Sequence, residues 1–379
     1  MPLRYPSKAI INLDAYAFNL ALVHRIVGRN IAVIPIVKAN AYGHGLEPIA
    51  RTAIQSGAKL LGVAAVEEAI CLRDAGIKTP ILVMTPSHRE TLRLFIEYKL
   101  TPILSDTAAA ESLGMMAHEA HYVAPIHCKI DTGMGRQGID YDDALDVLQR
   151  LRCITNIDIQ GICTHFPTAD LVEDRFTQSQ IKAFKDLLKQ MDRAGIPYEM
   201  AHAANSAAIV NYRDSLFDAV RPGLICYGIW PCKTAPGVST LRRALRWETT
   251  VVQVRALKSR ANIGYGRTYT AGSPLRTAIL PVGYADGYRY QLSNNADVLI
   301  RGRRCPVLGA ISMDQIVVDV TALPHVSCGD VATLLGTDGE LEITAEELAE
   351  RAGTIPYDIL TGIGARVFRE YKYDTTEKA

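Results

Sequence analysis

Short apolar runs alternate with helix-length amphipathic segments along the first ~230 residues of the chain. Eight such runs are bounded by turn residues, and they begin at Ile31, Leu60, Pro80, Thr101, Ala124, Ile157, Tyr198 and Asp218. Between them, residues 106–118, 141–151 and 174–194 show the spacing of amphipathic helices. Apolar strands that alternate with helices indicate a parallel sheet covered on both faces. Eight repeats within this length predict a (β/α)8 barrel rather than an open doubly wound sheet.

The pattern changes after about residue 240, where short β-branched runs follow one another closely. These runs are WETTVVQVRAL, TAILPVGY, ADVLIRG, CPVLGA, QIVVDV and DVATLLG, and no helix-length connector appears until residues 344–353. We therefore predict a barrel domain over residues 1–240 and a mostly β domain over residues 241–379. Small residues at 236–240 form the predicted junction between the two domains. For the first ten or so residues, packing with the second domain is an alternative to packing with the barrel.

The composition indicates the number of domains and excludes some classes of partner, but it does not indicate which reaction, if any, the protein catalyses. The 379 residues suit two domains, and 41 Lys and Arg against 40 Asp and Glu give no electrostatic reason to expect nucleic acid or a membrane as a partner. No apolar stretch approaches the ~18–20 residues of a membrane span, and the N-terminus lacks the apolar region of a signal peptide. The eight cysteines form no CxxC pair and no zinc spacing, so we expect reduced thiols, no metal and a cytoplasmic location.

Candidate functional residues lie where predicted barrel strands end, since barrel active sites form at that edge. Lys38 closes the first apolar run, where burial would lower the pKa of its amine and favour a Schiff base with an aldehyde. His165 closes the sixth run, Ser206 begins a helix after the seventh, and Arg221 and Gly223 follow the eighth. Taken alone, Lys38 also fits an ordinary exposed lysine, Ser206 a helix cap and Arg221 a structural ion pair.

Nine blocks of the sequence stand out in chain order, and they are AVIPIVKANAYGHG, KIDTGMGRQG, THFPTAD, NSAA, RPGLICYG, NIGYGRTY, GYADGY, SMDQ and TIPYDIL. In these blocks and in their order, the sequence resembles the alanine racemase family over residues 8 to 370. The lysine block and GYGRT are the most specific of these. The family combines a (β/α)8 barrel with a β domain, which agrees with the architecture predicted from the apolar pattern.

The resemblance implies a homodimeric, pyridoxal-phosphate-dependent enzyme that interconverts L-alanine and D-alanine. It implies that Lys38 forms the Schiff base with the cofactor and that Tyr42, Ser206, Gly223, Leu224 and Tyr357 hold the phosphate. Arg221 would face the pyridine nitrogen, and His165 would bridge toward the catalytic tyrosine. Tyr265 and Met313 would come from the partner subunit, Arg136 would meet the substrate carboxylate, and Lys129 would be carbamylated. Lys129 also fits a simple ion pair with Asp131.

These roles make chemical sense for racemisation, which needs one acid or base on each face of Cα. Lys38 supplies one, and Tyr265 is the candidate for the other if nearby cations such as His165 and Arg221 favour its phenolate. A packed turn aromatic is the alternative interpretation of Tyr265. Arginine beside the pyridine nitrogen cannot deliver a proton to it readily, which favours racemisation over transamination.

Three alternative functions remain to be weighed against an alanine racemase. A serine or broad-specificity racemase shares every catalytic group. The sequence departs from the usual family motifs at positions such as Tyr290 after GYADGYR, and these departures do not fix the width of the substrate entrance. A decarboxylase with the same two domains needs a carboxylate where Arg221 stands. A non-catalytic pyridoxal-phosphate carrier would lack both the second domain and Tyr265. Biosynthesis of D-alanine and catabolism of alanine are both compatible with these residues.

Overall fold

The computed structural model describes residues 6–232 and 240–374. The described residues belong to two compact units. The barrel unit comprises Ala15–Ala41 and Leu46–Arg242, and the β unit comprises Met1–Asp14, Tyr42–Gly45 and Arg243–Ala379. The junction predicted at residues 236–240 lies almost entirely outside the described residues. No helix in the described part of the chain is long and apolar enough to cross a membrane.

The first strand of the chain, β1 (Lys8–Asn12), belongs to the β unit. The eight strands that follow in the barrel unit each fall within one predicted apolar run. They are β2 (Ala32–Val33), β3 (Leu61–Val63), β4 (Ile81–Val83), β5 (Thr101–Leu104), β6 (Ala124–Asp131), β8 (Ile157–Cys163), β9 (Met200–His202) and β10 (Ala219–Val220), and the short β7 (Ile139–Asp140) pairs with β6.

These strands are parallel and close into a ring, which confirms the predicted barrel. The order is β2-β10-β9-β8-β6-β5-β4-β3, and a parallel bridge between Ile36 and Gly62 joins its two ends. Inside the ring, buried Leu82, Ile103 and Cys163 pack together. The strands need apolar side chains on both faces because helices cover the outside of the ring and side chains fill its interior.

Helices connect the strands. They are α1 (Leu13–Val27), α3 (Leu46–Gln55), α4 (Val66–Asp74), α5 (Leu92–Glu97), α6 (Thr107–Glu119), α7 (Ala144–Leu151), α8 (Arg175–Ala194) and α9 (Ser206–Asn211), whereas the segment α2 (Lys38–Tyr42) is a left-handed turn and not an α-helix. The predicted helical segments 106–118, 141–151 and 174–194 correspond to three of them, α6, α7 and α8. Short 3-10 turns occupy Arg89–Thr91, Arg213–Ser215 and Leu224–Tyr227. Asp106 and Asp174 cap α6 and α8 through their side chains, and Gly195 ends α8 with φ +64°. These caps fix the ends of α6 and α8, where the predicted boundaries agree with the structure to within one residue, whereas α7 lacks a side-chain cap and begins at Ala144 and not at residue 141.

The β unit contains the mostly β architecture predicted for the second domain. Its strands are β11 (Leu245–Thr250), β12 (Gln253–Leu257), β13 (Asn262–Ile263), β14 (Tyr269–Thr270), β15 (Leu275–Leu280), β16 (Asp297–Ile300), β17 (Arg303–Pro306), β18 (Ile316–Asp319), β19 (Val331–Asp338), β20 (Leu341–Ile343) and β21 (Phe368–Lys372). Its helices are α10 (Ala345–Ala352) and α11 (Pro356–Thr361). Further 3-10 turns occupy Tyr265–Arg267, Tyr284–Asp286 and Tyr290–Leu292.

The main sheet of the β unit joins both ends of the chain. Its order is β17-β16-β19-β11-β1-β21, with β20 paired to β19, so β1 lies between an antiparallel and a parallel neighbour. A second sheet has the order β12-β15-β18, and β13 and β14 form a hairpin. The single predicted run WETTVVQVRAL is therefore two strands in two different sheets. The pattern also missed the short strands β13, β14 and β20, because two or three residues show no periodicity.

Candidate active site

Lys38 begins a strained backbone turn. The four residues after it, Ala39 to Tyr42, all adopt left-handed conformations with φ between 52° and 53°. Each such non-glycine residue costs about 1–2 kcal/mol, so the turn needs support from its surroundings. The N–H of Ala39 donates to Glu68 Oε1 at 2.5 Å, and the side chain of Asn40 accepts from the N–H of Leu46 at 2.8 Å. Backbone strain of this kind is found most often at active sites and ligand-binding sites, where it holds a side chain in one orientation.

The Lys38 amine has the lowered pKa that the sequence predicted. Burial is the main cause, and the nearby guanidinium groups of Arg136 and Arg221 lower the pKa further, whereas the Glu68 carboxylate raises it. A lowered pKa increases the fraction of neutral amine near pH 7, and the neutral amine is the nucleophile. Lys38 is therefore prepared for attack on an aldehyde.

Arg221 follows β10 and is buried in the barrel unit. One terminal nitrogen donates to His202 Nδ1 at 2.6 Å and to the His202 carbonyl at 2.9 Å. The other donates to the carbonyls of Thr164 and Ala203 at 2.7 and 2.8 Å and to His165 Nδ1 at 3.1 Å. The Nε–H of Arg221 donates to no group in the described part of the chain. A rigidly held cation with one uncommitted donor suits a neutral acceptor such as a ring nitrogen.

His165 contacts Arg221 but does not supply the cation that the sequence suggested. Its pKa lies well below the ordinary value because burial disfavours the charged ring and the Arg221 guanidinium repels a second positive charge. The ring is therefore neutral near pH 7, and its Nδ1 accepts from Arg221. The expectation that His165 helps stabilise a phenolate as a cation is wrong, and this positive charge rests on Arg221.

Ser206 begins α9, as predicted, but Asn205 is the residue that caps it. The Asn205 side chain accepts from the N–H groups of Ala207 and Ala208. The buried Ser206 hydroxyl instead accepts from the N–H of Gly223 at 2.8 Å. The hydroxyl keeps its own proton as a donor, and the N–H of Leu224 has no acceptor among the described residues. These groups together offer hydrogen-bond donors to an anion.

Lys129 lies inside the barrel unit two residues before Asp131, near the end of β6. Burial lowers the pKa of its amine to about 8, the main effect, while Arg221 and Arg136 lower it and Cys163 and Asp131 raise it. The described residues contain no ion pair between Lys129 and Asp131, whose carboxylate instead accepts from the N–H groups of Gly133, Met134 and Gly135. These bonds shape the loop that carries exposed Arg136.

The other residues implied by the resemblance belong to the β unit. The rings of Tyr42 and Tyr357 pack with centroids 5.8 Å apart. Tyr265 opens the 3-10 turn Tyr265–Arg267, where Gly264 and Gly266 have φ of +75° and +67°, and its side chain is 76% exposed. Met313 is also exposed.

Glu68, which accepts from the N–H after Lys38, His202, which accepts from Arg221, and His127, which contacts His202, were not singled out from the sequence. The sequence offers only a weak indication of a role for Glu68. It follows Glu67 in the first turn of α4, where a glutamate is typical of a helix cap. His127 lies two residues before Lys129 on β6, so strand alternation places both side chains on one face. His202 closes the seventh apolar run as His165 closes the sixth, and the same reasoning would have found it.

The fold and these side chains define an enzyme of the barrel-and-β-domain class with a buried lysine and a donor-only arginine at strand ends. Models of the alanine racemase N-terminal domain and the alanine racemase C-terminal domain match residues 11–231 and 244–371. The chain therefore belongs to the alanine racemase family.

Individual relatives support the same assignment over nearly the whole chain. The alanine racemase of Halothermothrix orenii is 39% identical, with 97% of each chain covered. The structure of alanine racemase from Bacillus anthracis with bound L-Ala-P is similar with a TM-score of 0.93 and 31% identity, covering 99% of this chain and 97% of that one. Alanine racemase from Bartonella henselae with covalently bound pyridoxal phosphate has a TM-score of 0.88 and 28% identity, covering 97% and 99%.

Proposed function

We propose that this protein is an alanine racemase that uses pyridoxal phosphate as its cofactor. The observation that carries the proposal is a lysine whose pKa is lowered by burial and by the charge of nearby Arg221, an arginine that is held in place by hydrogen bonds it can only donate. The two relatives of known structure that are named with L-Ala-P and with covalently bound pyridoxal phosphate support the substrate class and the cofactor.

The donor set fits pyridoxal phosphate. The cofactor presents an aldehyde, a ring nitrogen that accepts a hydrogen bond and a phosphate. Lys38 suits the aldehyde, and the Nε–H of Arg221 suits the ring nitrogen. The Ser206 hydroxyl, which accepts from the Gly223 N–H and keeps its own proton, and the N–H of Leu224 suit the phosphate. The family resemblance assigns Tyr42 and Tyr357 to the phosphate as well, and His165 to the bridge between Arg221 and the catalytic tyrosine.

Two residues of this chain would move the proton. When bound, pyridoxal phosphate withdraws electrons from the amino acid and so acidifies its Cα–H bond. In the proposed mechanism, the Lys38 amine removes or returns a proton on one face of Cα, and the phenol of Tyr265 from the partner subunit does so on the other. Arg221 cannot readily give a proton to the ring nitrogen, which disfavours the competing transamination.

Arg136 and Met313 complete the proposed substrate site. The guanidinium of Arg136 matches a carboxylate in shape and charge. Carbamylation of Lys129 would replace a cation with an anion that attracts Arg136, and its pKa of about 8 supports the modification, since carbon dioxide reacts with the neutral amine. Met313 is assigned to the partner subunit by the resemblance.

The rest of the proposal concerns the oligomeric state, the cellular location, the substrate and the metabolic role of the enzyme. We place the enzyme in the cytoplasm as a homodimer whose active sites are shared between subunits, which would bury exposed Tyr265 and Met313. A racemase for serine or for several amino acids is the second candidate, because every catalytic group would be the same. Supply of D-alanine and breakdown of alanine are both consistent with this activity.

A chiral assay of the purified protein against a panel of L-amino acids tests the proposal. We expect L-alanine to yield D-alanine, and Lys38→Ala to lose this activity by at least a factor of ~10². Lys59→Ala, which removes an exposed lysine of the same unit, is the control and should retain full activity. Faster conversion of L-serine than of L-alanine would favour the second candidate, and no racemisation of any amino acid would reject both.

A further inference from the structure

A chain of four polar side chains crosses the interior of the barrel unit. His127 Nδ1 lies 2.7 Å from His202 Nε2, His202 Nδ1 lies 2.6 Å from Arg221, and Arg221 lies 3.1 Å from His165 Nδ1. His127, His202 and Arg221 are all buried. His127 is the end of this chain, and the function proposed above assigns it no part.

The direction of each hydrogen bond follows from the chemistry of Arg221. A guanidinium only donates, so His202 Nδ1 must accept and carry no proton. A neutral His202 then holds its proton on Nε2, and this N–H donates to His127 Nδ1. Burial and the positive charge of Arg221 lower the pKa of both histidines, which agrees with two neutral rings. His127 Nδ1 is thus the final acceptor that this tautomer of His202 requires.

The strand next to His127 is shaped to admit its ring. His127 on β6 is paired directly with Gly161 on β8, after an irregularity in register between Ile126 and His127. A Cβ placed on Gly161 would lie 2.3 Å from His127 Nδ1 and 2.5 Å from its Cγ. The φ of Gly161 does not lie in the left-handed region, so its backbone does not require glycine. The space at Gly161 therefore serves the His127 ring.

We propose that His127 is a positioning residue for Arg221, acting through the tautomer of His202. With the acceptor at His127 present, His202 presents an unprotonated Nδ1 that anchors one terminal nitrogen of Arg221. Without it, the His202 N–H is buried and unsatisfied, and the ring turns away from the geometry that Arg221 needs. The consequence for catalysis rests on the proposed function, because it assumes that the Nε–H of Arg221 meets the cofactor's ring nitrogen.

Nitrogen NMR of the histidine rings tests the network without any assay of activity. In protein labelled with ¹⁵N-histidine, we expect His202 to be neutral with its proton on Nε2. His127→Asn places a carbonyl oxygen near the position of Nδ1 and should preserve this state, whereas His127→Leu and His127→Gln should change the His202 signals. A proton on Nδ1 of His202 in the wild type, or unchanged His202 signals in both Leu and Gln variants, would overturn the proposal.

Gly161→Ala gives a second test in which no member of the network is replaced. The added methyl group displaces the His127 ring, so the His202 signals should change as they do in His127→Gln. Cys128→Ala is the matched control, because Cys128 is the next residue of β6, is buried, and points to the opposite face of the strand. Equal spectra for Gly161→Ala and Cys128→Ala would contradict the role of the ring.

Kinetics of the cofactor-loaded enzyme then separate positioning from folding. We expect His127→Gln and Gly161→Ala to lower kcat for racemisation by about tenfold or more, with KM changed much less and the cofactor's absorption band shifted. His127→Asn should restore both the band and kcat, and Cys128→Ala should alter neither. A His127→Asn variant as impaired as His127→Gln would overturn the positioning role. Absence of racemisation in the wild type would instead reject the proposed function, and the NMR result would still stand.

Discussion

Arg221 influences the chemistry of the site through what a guanidinium cannot do. Its two terminal nitrogens donate to three carbonyl oxygens and two imidazole nitrogens, so the side chain is held in one orientation. It accepts no hydrogen bond and stays protonated, and a ring nitrogen beside it remains neutral. A carboxylate at the same position would favour a protonated ring and a more stabilised carbanion. Arg221 and His165 were found from the sequence, but the other four acceptors, on Thr164, His202 and Ala203, were not.

Tyr265 carries the residue-scale prediction about two-base catalysis. Because Lys38 and Tyr265 are proposed to serve opposite faces of Cα, Tyr265→Phe should abolish proton exchange from one enantiomer far more than from the other. The expected loss for the affected enantiomer is about 10²–10⁴-fold. Exchange of the Cα hydrogen in deuterated buffer, followed by NMR for L-alanine and D-alanine separately, measures this asymmetry.

Tyr373→Phe is the control for that experiment, since Tyr373 is another highly exposed phenol of the same unit. It should leave exchange from both enantiomers unchanged. Equal losses for the two enantiomers in Tyr265→Phe would argue for a single base on one face of Cα.

At the scale of an element, the left-handed turn α2 is the feature that most needs explanation. Four consecutive residues without a glycine among them adopt positive φ, and they follow Lys38 directly. The carboxylate of Glu68 accepts from the N–H of Ala39 and also from those of Ala64 and Ala65 at the start of α4. One carboxylate thus ties the lysine turn to the next strand-to-helix connection, and this tie offsets part of the strain.

Glu68→Gln tests this tie. A glutamine amide presents one acceptor oxygen and one donor nitrogen, so it cannot accept from all three N–H groups. We expect a loss of about 1–3 kcal/mol in the free energy of unfolding and faster amide exchange in the segment 38–46. Urea unfolding and hydrogen exchange read by mass spectrometry measure the two effects.

Glu67→Gln is the matched control, because Glu67 is the preceding residue of α4 and is exposed. Its free energy of unfolding should change by no more than about 0.5 kcal/mol, with exchange in the turn unaltered. If the Glu67 and Glu68 variants behave alike, the carboxylate of Glu68 does not support the turn.

At the scale of the whole molecule, buried neutral histidines make stability depend on pH. Burial and the charge of Arg221 lower the pKa of His127 to about 3 and hold those of His165 and His202 well below the ordinary value. In the unfolded chain these rings titrate near ~6.5. Below that pH the unfolded state therefore binds more protons than the folded state, so the free energy of unfolding falls as the pH is lowered.

We expect the free energy of unfolding to fall between pH 6.5 and 5, where few carboxylates titrate. Each of the three histidines contributes up to about 1.4 kcal/mol per pH unit. Urea unfolding at a fixed protein concentration across this range measures the slope, and His127→Asn should reduce it by one histidine's share. Cys128→Ala changes a buried neighbour of His127 without removing a histidine and should leave the slope as it is. A slope that is flat in the wild type would show that the three rings titrate normally in the folded protein.

The sequence by itself determined the barrel, the β character of the second unit and the residues named for chemistry. Eight apolar runs predicted eight strands because a parallel sheet covered on both faces demands apolar side chains throughout. Lys38, His165, Ser206 and Arg221 were found because barrel strands end at one common edge. Recognition of Tyr265, Arg136, Lys129, Met313, Tyr42 and Tyr357 depended on family motifs, since neither periodicity nor strand position identifies them.

Only the tertiary structure decided which groups meet and in what protonation state. His127 and His202 are 75 residues apart in sequence, and their contact depends on the register irregularity before His127 and on the space at Gly161. The neutral state of His165 depends on burial and on the guanidinium beside it. Hydrogen-bond partners and desolvation are properties of the surroundings of a side chain, and those surroundings exist only when distant strands become neighbours.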